Sequence, residues 1–250
     1  MSAIWQAIRG ERVIRPIGGH GFRLVECQET VATTEIVSTL ERQVILEALL
    51  DAQSKPGYQS GTEQLHYLLS TPFRYPPLLH GSRFGGRFES SLFYAGCSKQ
   101  VTLSEAAYYR FFFYQDMDIL PPSRQLRSQH TLFGFKYQTG SGLQLQATPF
   151  DPYVGSLRDP ADYSVTQALG AAMRAAGVKA FEYPSARDPA ARINVALYDA
   201  SAFASNKPEH QQSCLCQTTD QDVVFSLDRQ TIHFGIETFL VNGKLPIPAD

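Results

Sequence analysis

The sequence predicts an α+β fold, with helices and strands arranged in blocks rather than in regular strand–helix–strand alternation. Three observations carry this expectation. A helical pattern occupies residues 32–53, an aromatic helical pattern occupies 103–114, and short strand-like runs dominate from residue 131 onward. No internal repeat and no low-complexity tract interrupts this order.

In the first helix Ile36, Leu40, Val44, Leu46, Leu49 and Leu50 recur at close to helical spacing. Thr33 or Thr34 can cap its start, and Pro56 with Gly57 stops it. Residues 57–61, rich in Gly, Ser and Gln, then read as a loop. From 65 to 117 the chain is aromatic and arginine-rich. Residues 91–95 read as a short buried strand, followed by the helix at 103–114. Leu103, Ala106, Ala107, Phe111 and Tyr114 mark one face of that helix, and Tyr108, Tyr109 and Phe112 mark much of the rest. A helix apolar nearly all round is a buried helix.

Beyond it, residues 131–138 and 142–147 flank Thr139, Gly140 and Ser141 as a hairpin. A second helix over 163–176 is stopped by Gly177 and followed by strands at 178–183 and 193–198. Residues 223–227 and 231–239 flank Asp228, Arg229 and Gln230 as another hairpin.

The chain has 250 residues, 43% hydrophobic and 18% charged, enough to bury a core without a disulfide or a structural metal. Lys and Arg number 22 against 24 Asp and Glu, a net charge of −2, so a chain-wide basic footprint for nucleic acid is absent. No apolar run approaches the roughly 18 residues that a membrane helix requires. The first twelve residues carry no apolar stretch of the kind an export signal needs. Cys27, Cys97, Cys214 and Cys216 are few and scattered. Both points lead to the expectation of a reducing cytosol. Cys214 and Cys216 lack a second nearby pair, and no two of the six histidines have helix-face spacing, so no metal is expected.

Residues with chemical potential concentrate between 71 and 130. Seven Lys and Arg stand there against four acids, a local charge of +3. Arg74, Arg83 and Arg87 lie in or near a Gly-rich loop. Guanidinium forks suit phosphate oxygens because they offer paired donors and keep their charge, although such a loop also fits a merely solvated surface. Glu105 stands among aromatics, where an ionised carboxylate must be paired, hydrogen-bonded or open to a cleft. Thr102 and Glu105 also match a capping box, in which the carboxylate reaches back to the Thr102 amide. Tyr94, in the strand before this helix, can stack on a flat cationic ring or serve simply as core. Ser185 follows a strand, where a turn-capping role is the plainer alternative.

Taken together, three blocks resemble the RES-domain family, toxins encoded beside Xre-type antitoxins. The first is Leu-Leu-Ser-Thr-Pro-Phe-Arg-Tyr-Pro-Pro over 68–77, followed by Gly-Ser-Arg-Phe over 81–84. The second is Phe-Tyr-Ala-Gly over 93–96 with Leu-Ser-Glu-Ala-Ala-Tyr-Tyr-Arg over 103–110. The third is Gln-Ala-Leu over 167–169 with Tyr-Pro-Ser-Ala-Arg-Asp over 183–188. The N-terminal Trp5, Glu41 to Gln43 and the run over 46–50 are also similar to longer members.

Through this resemblance Arg74 corresponds to the first family arginine, Tyr94 to the tyrosine, Glu105 to the glutamate and Ser185 to the serine. The second arginine is Arg83 or Arg87. The resemblance implies an ADP-ribosyltransferase-like fold, a split, twisted β-sheet core with flanking helices around an NAD+ cleft. It implies NAD+ consumption in the bacterial cytosol, with ADP-ribose passing to water, phosphate or a protein, and a cognate Xre-type antitoxin as partner. Glu105, Arg74, Tyr94 and Ser185 would act on NAD+, with Arg74, Arg83, Arg87, Tyr94 and Ser185 binding it. An interaction protein that docks on an antitoxin without turnover is the reading from another class. Residues 1–60 are expected as a helical extension packed on the core, and 61–250 as the NAD+-consuming domain.

Overall fold

The computed structural model describes residues 2–27, 39–52 and 61–247. Six helices are present among them: α1 (Ala3–Ala7), α2 (Leu40–Ala52), α3 (Tyr67–Arg74), α4 (Lys99–Gln115), α5 (Val154–Leu157) and α6 (Ser164–Ala175). Eight strands form one sheet: β1 (Arg15–Glu26), β2 (Phe93–Gly96), β3 (Leu126–Gln144), β4 (Ala180–Pro184), β5 (Ile193–Leu197), β6 (His210–Thr218), β7 (Asp222–Leu227) and β8 (Gln230–Gly235). The chain is α+β, with a twisted sheet and flanking helices.

Strand order is β1-β2-β5-β4-β3-β6-β7-β8, and β1 pairs with β3 as well. Strands β1, β2, β5, β4 and β3 therefore close on themselves, while β6, β7 and β8 extend from β3. One edge of β3 pairs with β1 from residue 130 to 142. The other edge is shared, with β6 along 126–134 and β4 only along 142–144. The sheet divides along that edge.

This long strand corrects the first expected hairpin. Thr139, Gly140 and Ser141 lie inside β3, which runs unbroken from 126 to 144. A turn residue pattern is overridden there because pairing with β1 continues through residue 142, past a register shift in β1. The second expected hairpin forms, with β7 and β8 paired from Asp222 and Gly235 to Leu227 and Gln230. Residues 236–239, expected as strand, turn instead into a short 3-10 helix.

Strand β1 had no sequence signature, because its glycines obscure the alternation of apolar residues. Gly21 shows why a glycine is needed. A Cβ there would lie 2.3 Å from the Phe135 ring across the strand pair. The backbone of β1 thus makes room for the large aromatics of β3. Trp5, from α1, is 6% exposed and joins Ile4, Phe84, Leu169, Met173 and Phe181 in a core cluster. The N-terminal 26 residues therefore contribute both a strand and core anchors. The expected caps at Thr33 or Thr34, the start of the first helix, its stop at Pro56 and Gly57 and most of the loop over 57–61 lie outside the described residues. In α2, Val44, Ile45 and Leu49 are exposed.

Buried on β3, His130 is 5% exposed, with Ser128 Oγ 2.8 Å from its Nε2. Burial, reinforced by the positive Arg110, holds its pKa down to about 4. A base whose pKa is lower in the folded than in the unfolded chain stabilises the fold above the unfolded value, near 6.5. That stability is lost as pH falls from about 6.5 toward about 4, by roughly 3 kcal/mol for a shift of this size. Denaturant unfolding of wild type and His130→Leu across this pH window is expected to show a steep decline for wild type and a flatter one for the variant. Parallel declines would contradict the assignment.

Candidate active site

Helix α4 positions the central carboxylate. Ser98 caps it, its side chain accepting from the Val101 amide at 3.4 Å. The helix therefore starts four residues earlier than expected. Thr102 lies inside it, and its hydroxyl donates to the carbonyls of Ser98 (2.9 Å) and Phe22 (3.0 Å). This corrects the capping-box reading. Glu105 sits in the second turn, where reaching back to a free N-terminal amide has no purpose.

Glu105 is half-buried and is held from two sides. Its Oε1 accepts from Ser185 Oγ at 2.6 Å and from Asn194 Nδ2 at 2.7 Å. Among the described residues no hydrogen bond falls on Oε2 and no cation pairs with the carboxylate. The second oxygen is thereby left for a ligand. The helix is not buried all round: Tyr109 is 50% exposed and Phe113 51%. Tyr109 and Glu105 line one cavity of about 360 Å³, together with Arg83, Tyr94, Tyr183 and Asn194. Half of the unexpected aromatic exposure on α4 is therefore a cavity wall.

Ser185 is fully buried in the turn after β4. Its Oγ donates to Glu105 and accepts from the amides of Arg187 and Asp188, each at 3.0 Å. The turn-capping and functional readings of this serine thus hold together: one atom closes the turn and aims the carboxylate. Arg158 braces the same turn through the carbonyls of Ser185 (2.9 Å) and Asp188 (3.2 Å). Ser104, one residue before Glu105, donates to the Arg187 carbonyl at 2.8 Å.

Arg83 is placed by its neighbours in the loop. The Tyr94 hydroxyl bonds Ser82 Oγ at 2.9 Å and accepts from the Phe84 amide at 3.0 Å. Burial pushes the Tyr94 pKa up to about 12, so the hydroxyl keeps its proton near neutrality. Gln167 on α6 donates to the carbonyls of His80 and Ser82. Gly170, one turn on, allows the loop to lie against the helix, since a Cβ there would sit 2.0 Å from the Phe84 carbonyl oxygen. The Arg83 guanidinium donates to the Asp159 carbonyl at 2.7 Å and stacks 4.4 Å over the Tyr163 ring.

The structure thus brings Glu105, Tyr94 and Arg83 to one cavity, with Ser185 directly behind the carboxylate. Arg74 and Arg87 do not line it. Arg74 ends α3, and Arg87 is exposed, stacked 5.3 Å over the Phe88 ring. Of the two candidates for a second arginine, Arg83 is the one at the cavity. Asn194 was missed by sequence reasoning. Its signal was a polar residue inside the otherwise apolar strand Ile193–Leu197, which must have a partner if it is buried. Arg23 was also missed. It lines the cavity from β1 and donates to the Tyr94 carbonyl at 2.6 Å.

A family model described as RES domain matches residues 59–220, a segment that includes Arg83, Tyr94, Glu105, Ser185 and Asn194. No curated protein gives a significant match to the chain.

The two donors to Glu105 differ in what their loss leaves behind. Without its hydroxyl, position 185 strands two buried amides. Asn194 makes a single bond, and its buried Oδ1 has no hydrogen-bond partner among the described residues. Ser185→Ala is expected to cost about 2–4 kcal/mol of unfolding free energy, and Asn194→Val only about 1 kcal/mol, because the charge-assisted bond it loses is offset by removal of a buried, unpartnered Oδ1. Denaturant titration measures both, and equal losses would contradict this division of roles.

Proposed function

The chain belongs to the RES domain family, and on that premise we propose that it is an NAD+-degrading toxin. It cleaves the nicotinamide–ribose bond and passes ADP-ribose to water or phosphate. The observation that carries the reading is Oε2 of Glu105, free of hydrogen bonds among the described residues, in a cavity that also presents Tyr94 and Arg83.

The bond from the ribose C1′ to nicotinamide breaks with its electron pair on the ring nitrogen, so nicotinamide leaves neutral. The sugar is left as an oxocarbenium-like cation. Oε2 of Glu105 stabilises that charge, and a carboxylate already fixed by two donors needs little reorganisation to do so. Water or phosphate then bonds to C1′. A proton released by attacking water passes to Glu105 or to solvent.

Tyr94 offers an aromatic wall for the nicotinamide ring. Its hydroxyl is committed to Ser82 and Phe84, so its contribution is stacking and the positioning of Arg83. Arg83, neutralised by no carboxylate among the described residues, favours the anionic part of the dinucleotide. Ser185 acts through Glu105, since its hydroxyl is saturated. It is a positioning residue. No helix among the described residues is long and apolar enough to cross a membrane. The toxin would act on the bacterial cytosolic NAD+ pool and be restrained by an Xre-type antitoxin whose simplest physical action is to cover the cavity.

The purified chain is expected to release nicotinamide from NAD+. Glu105→Gln should slow that release on the order of 100-fold or more while leaving the unfolding transition nearly in place. Full turnover by a folded Glu105→Gln protein would contradict the role assigned to the carboxylate.

A further inference from the structure

The cavity at Glu105 is one lobe of a larger cleft. A second cavity of about 420 Å³ adjoins it, and the two share Arg23, Leu78, Ser82, Leu92 and Tyr94 as walls. Glu105 lines only the first lobe. The second lobe is lined by Tyr67, Pro72 and Tyr75 from α3 and the chain just beyond it, with Pro76 and Pro77 beside them. Its walls are more apolar than polar. The cleft therefore reads as lobe, shared wall, lobe.

Arg23 stands in that shared wall. It makes one hydrogen bond, to the Tyr94 carbonyl, and its guanidinium lies 4.9 Å over the Phe93 ring. Its Nε is buried with no hydrogen-bond partner, and no carboxylate pairs with it among the described residues. Glu26, which also lines the second lobe, faces Arg110 at 3.9 Å instead. Burial brings the pKa of Arg23 down to about 10, which still leaves it positive at neutral pH. A buried cation without a counter-ion is costly, and the cost is relieved by an anion that enters the cleft. Arg83, by contrast, lines only the first lobe and spends donors on the backbone carbonyls of Leu157 and Asp159.

We infer that Arg23 binds the diphosphate of the dinucleotide and that the lobe beside it, walled by Tyr67, Pro72 and Tyr75, holds adenine. The assignment rests on the NAD+ reading above and adds the orientation of the substrate. Two nucleosides joined by a diphosphate require two pockets flanking a cation, and the cleft has that order. Nicotinamide riboside lies in the lobe of Glu105, the diphosphate crosses at Arg23, and adenine stacks on rings of α3. Arg23 belongs to β1, outside residues 59–220, so the N-terminal strand completes the site.

Calorimetric binding of ADP and adenosine to the intact chain tests this without requiring turnover. Wild type is expected to bind both. Arg23→Met should weaken ADP on the order of 10-fold to 100-fold and leave adenosine unchanged. Tyr75→Ala, at a ring that is 45% exposed, should weaken both ligands. A folded Arg23→Met protein that binds ADP as wild type does would overturn the diphosphate assignment. Unchanged binding to Tyr75→Ala would overturn the adenine assignment. If wild type releases nicotinamide from NAD+ but binds no ADP, the subsite is wrong and the cleavage reading stands. If it binds ADP as described but releases no nicotinamide, the subsite stands and the cleavage reading is wrong.

Discussion

Two hydrogen bonds to a single oxygen, from Ser185 and Asn194 to Oε1 of Glu105, tie α4, the turn after β4 and strand β5 together. Bonds to a charged group are each worth roughly 1.5–3 kcal/mol, more than most neutral ones. Their geometry has a chemical consequence. With one carboxylate oxygen committed to the protein, the other is presented in a fixed direction at the cavity. The surrounding structure serves that fixation: Ser104 and Arg158 hold the turn of Ser185, and β5 is paired on both edges, with β2 and β4.

The cations around this carboxylate have different tasks. Arg187 is buried, its guanidinium 3.6 Å over the Tyr108 ring and bonded to the Pro160 carbonyl, which makes it part of the scaffold. Arg83 is partly satisfied by backbone carbonyls and remains at the cavity. Arg23 is the least satisfied of the three. This gradation follows the physics of a charged site. Cations fully paired within the protein stabilise it, and those left underpaired attract an anion. None of the three forms an ion pair with Glu105, so its second oxygen is not taken up by a guanidinium of this set.

How much of this was legible in the chain depended on whether the signal was local. The aromatic helix, the Ser185 turn and most strands after residue 178 follow from short patterns of apolar residues and turn formers. Glu105 stood out because a carboxylate among aromatics requires an explanation. The capping box misled because Thr102 and Glu105 have the right spacing, while the true cap, Ser98, is fixed by where β2 ends. The supposed hairpin at 139–141 failed for a non-local reason, since β1 pairs across it. Arg23 was invisible because the glycines of its strand obscure the apolar alternation until the rings of β3 are known to need the space. Asn194 left a trace, a lone amide in a buried strand, but its partner lay 89 residues away.

The most direct measurement is a crystal structure of the Glu105→Gln chain with NAD+ bound. C1′ of the nicotinamide ribose should lie within about 3.5 Å of the side chain at position 105, at the amide nitrogen that replaces Oε2, while Ser185 and Asn194 hold the remaining oxygen. The nicotinamide ring should face Tyr94. A dinucleotide bound with its adenosine end at position 105, or bound outside this cleft, would contradict it.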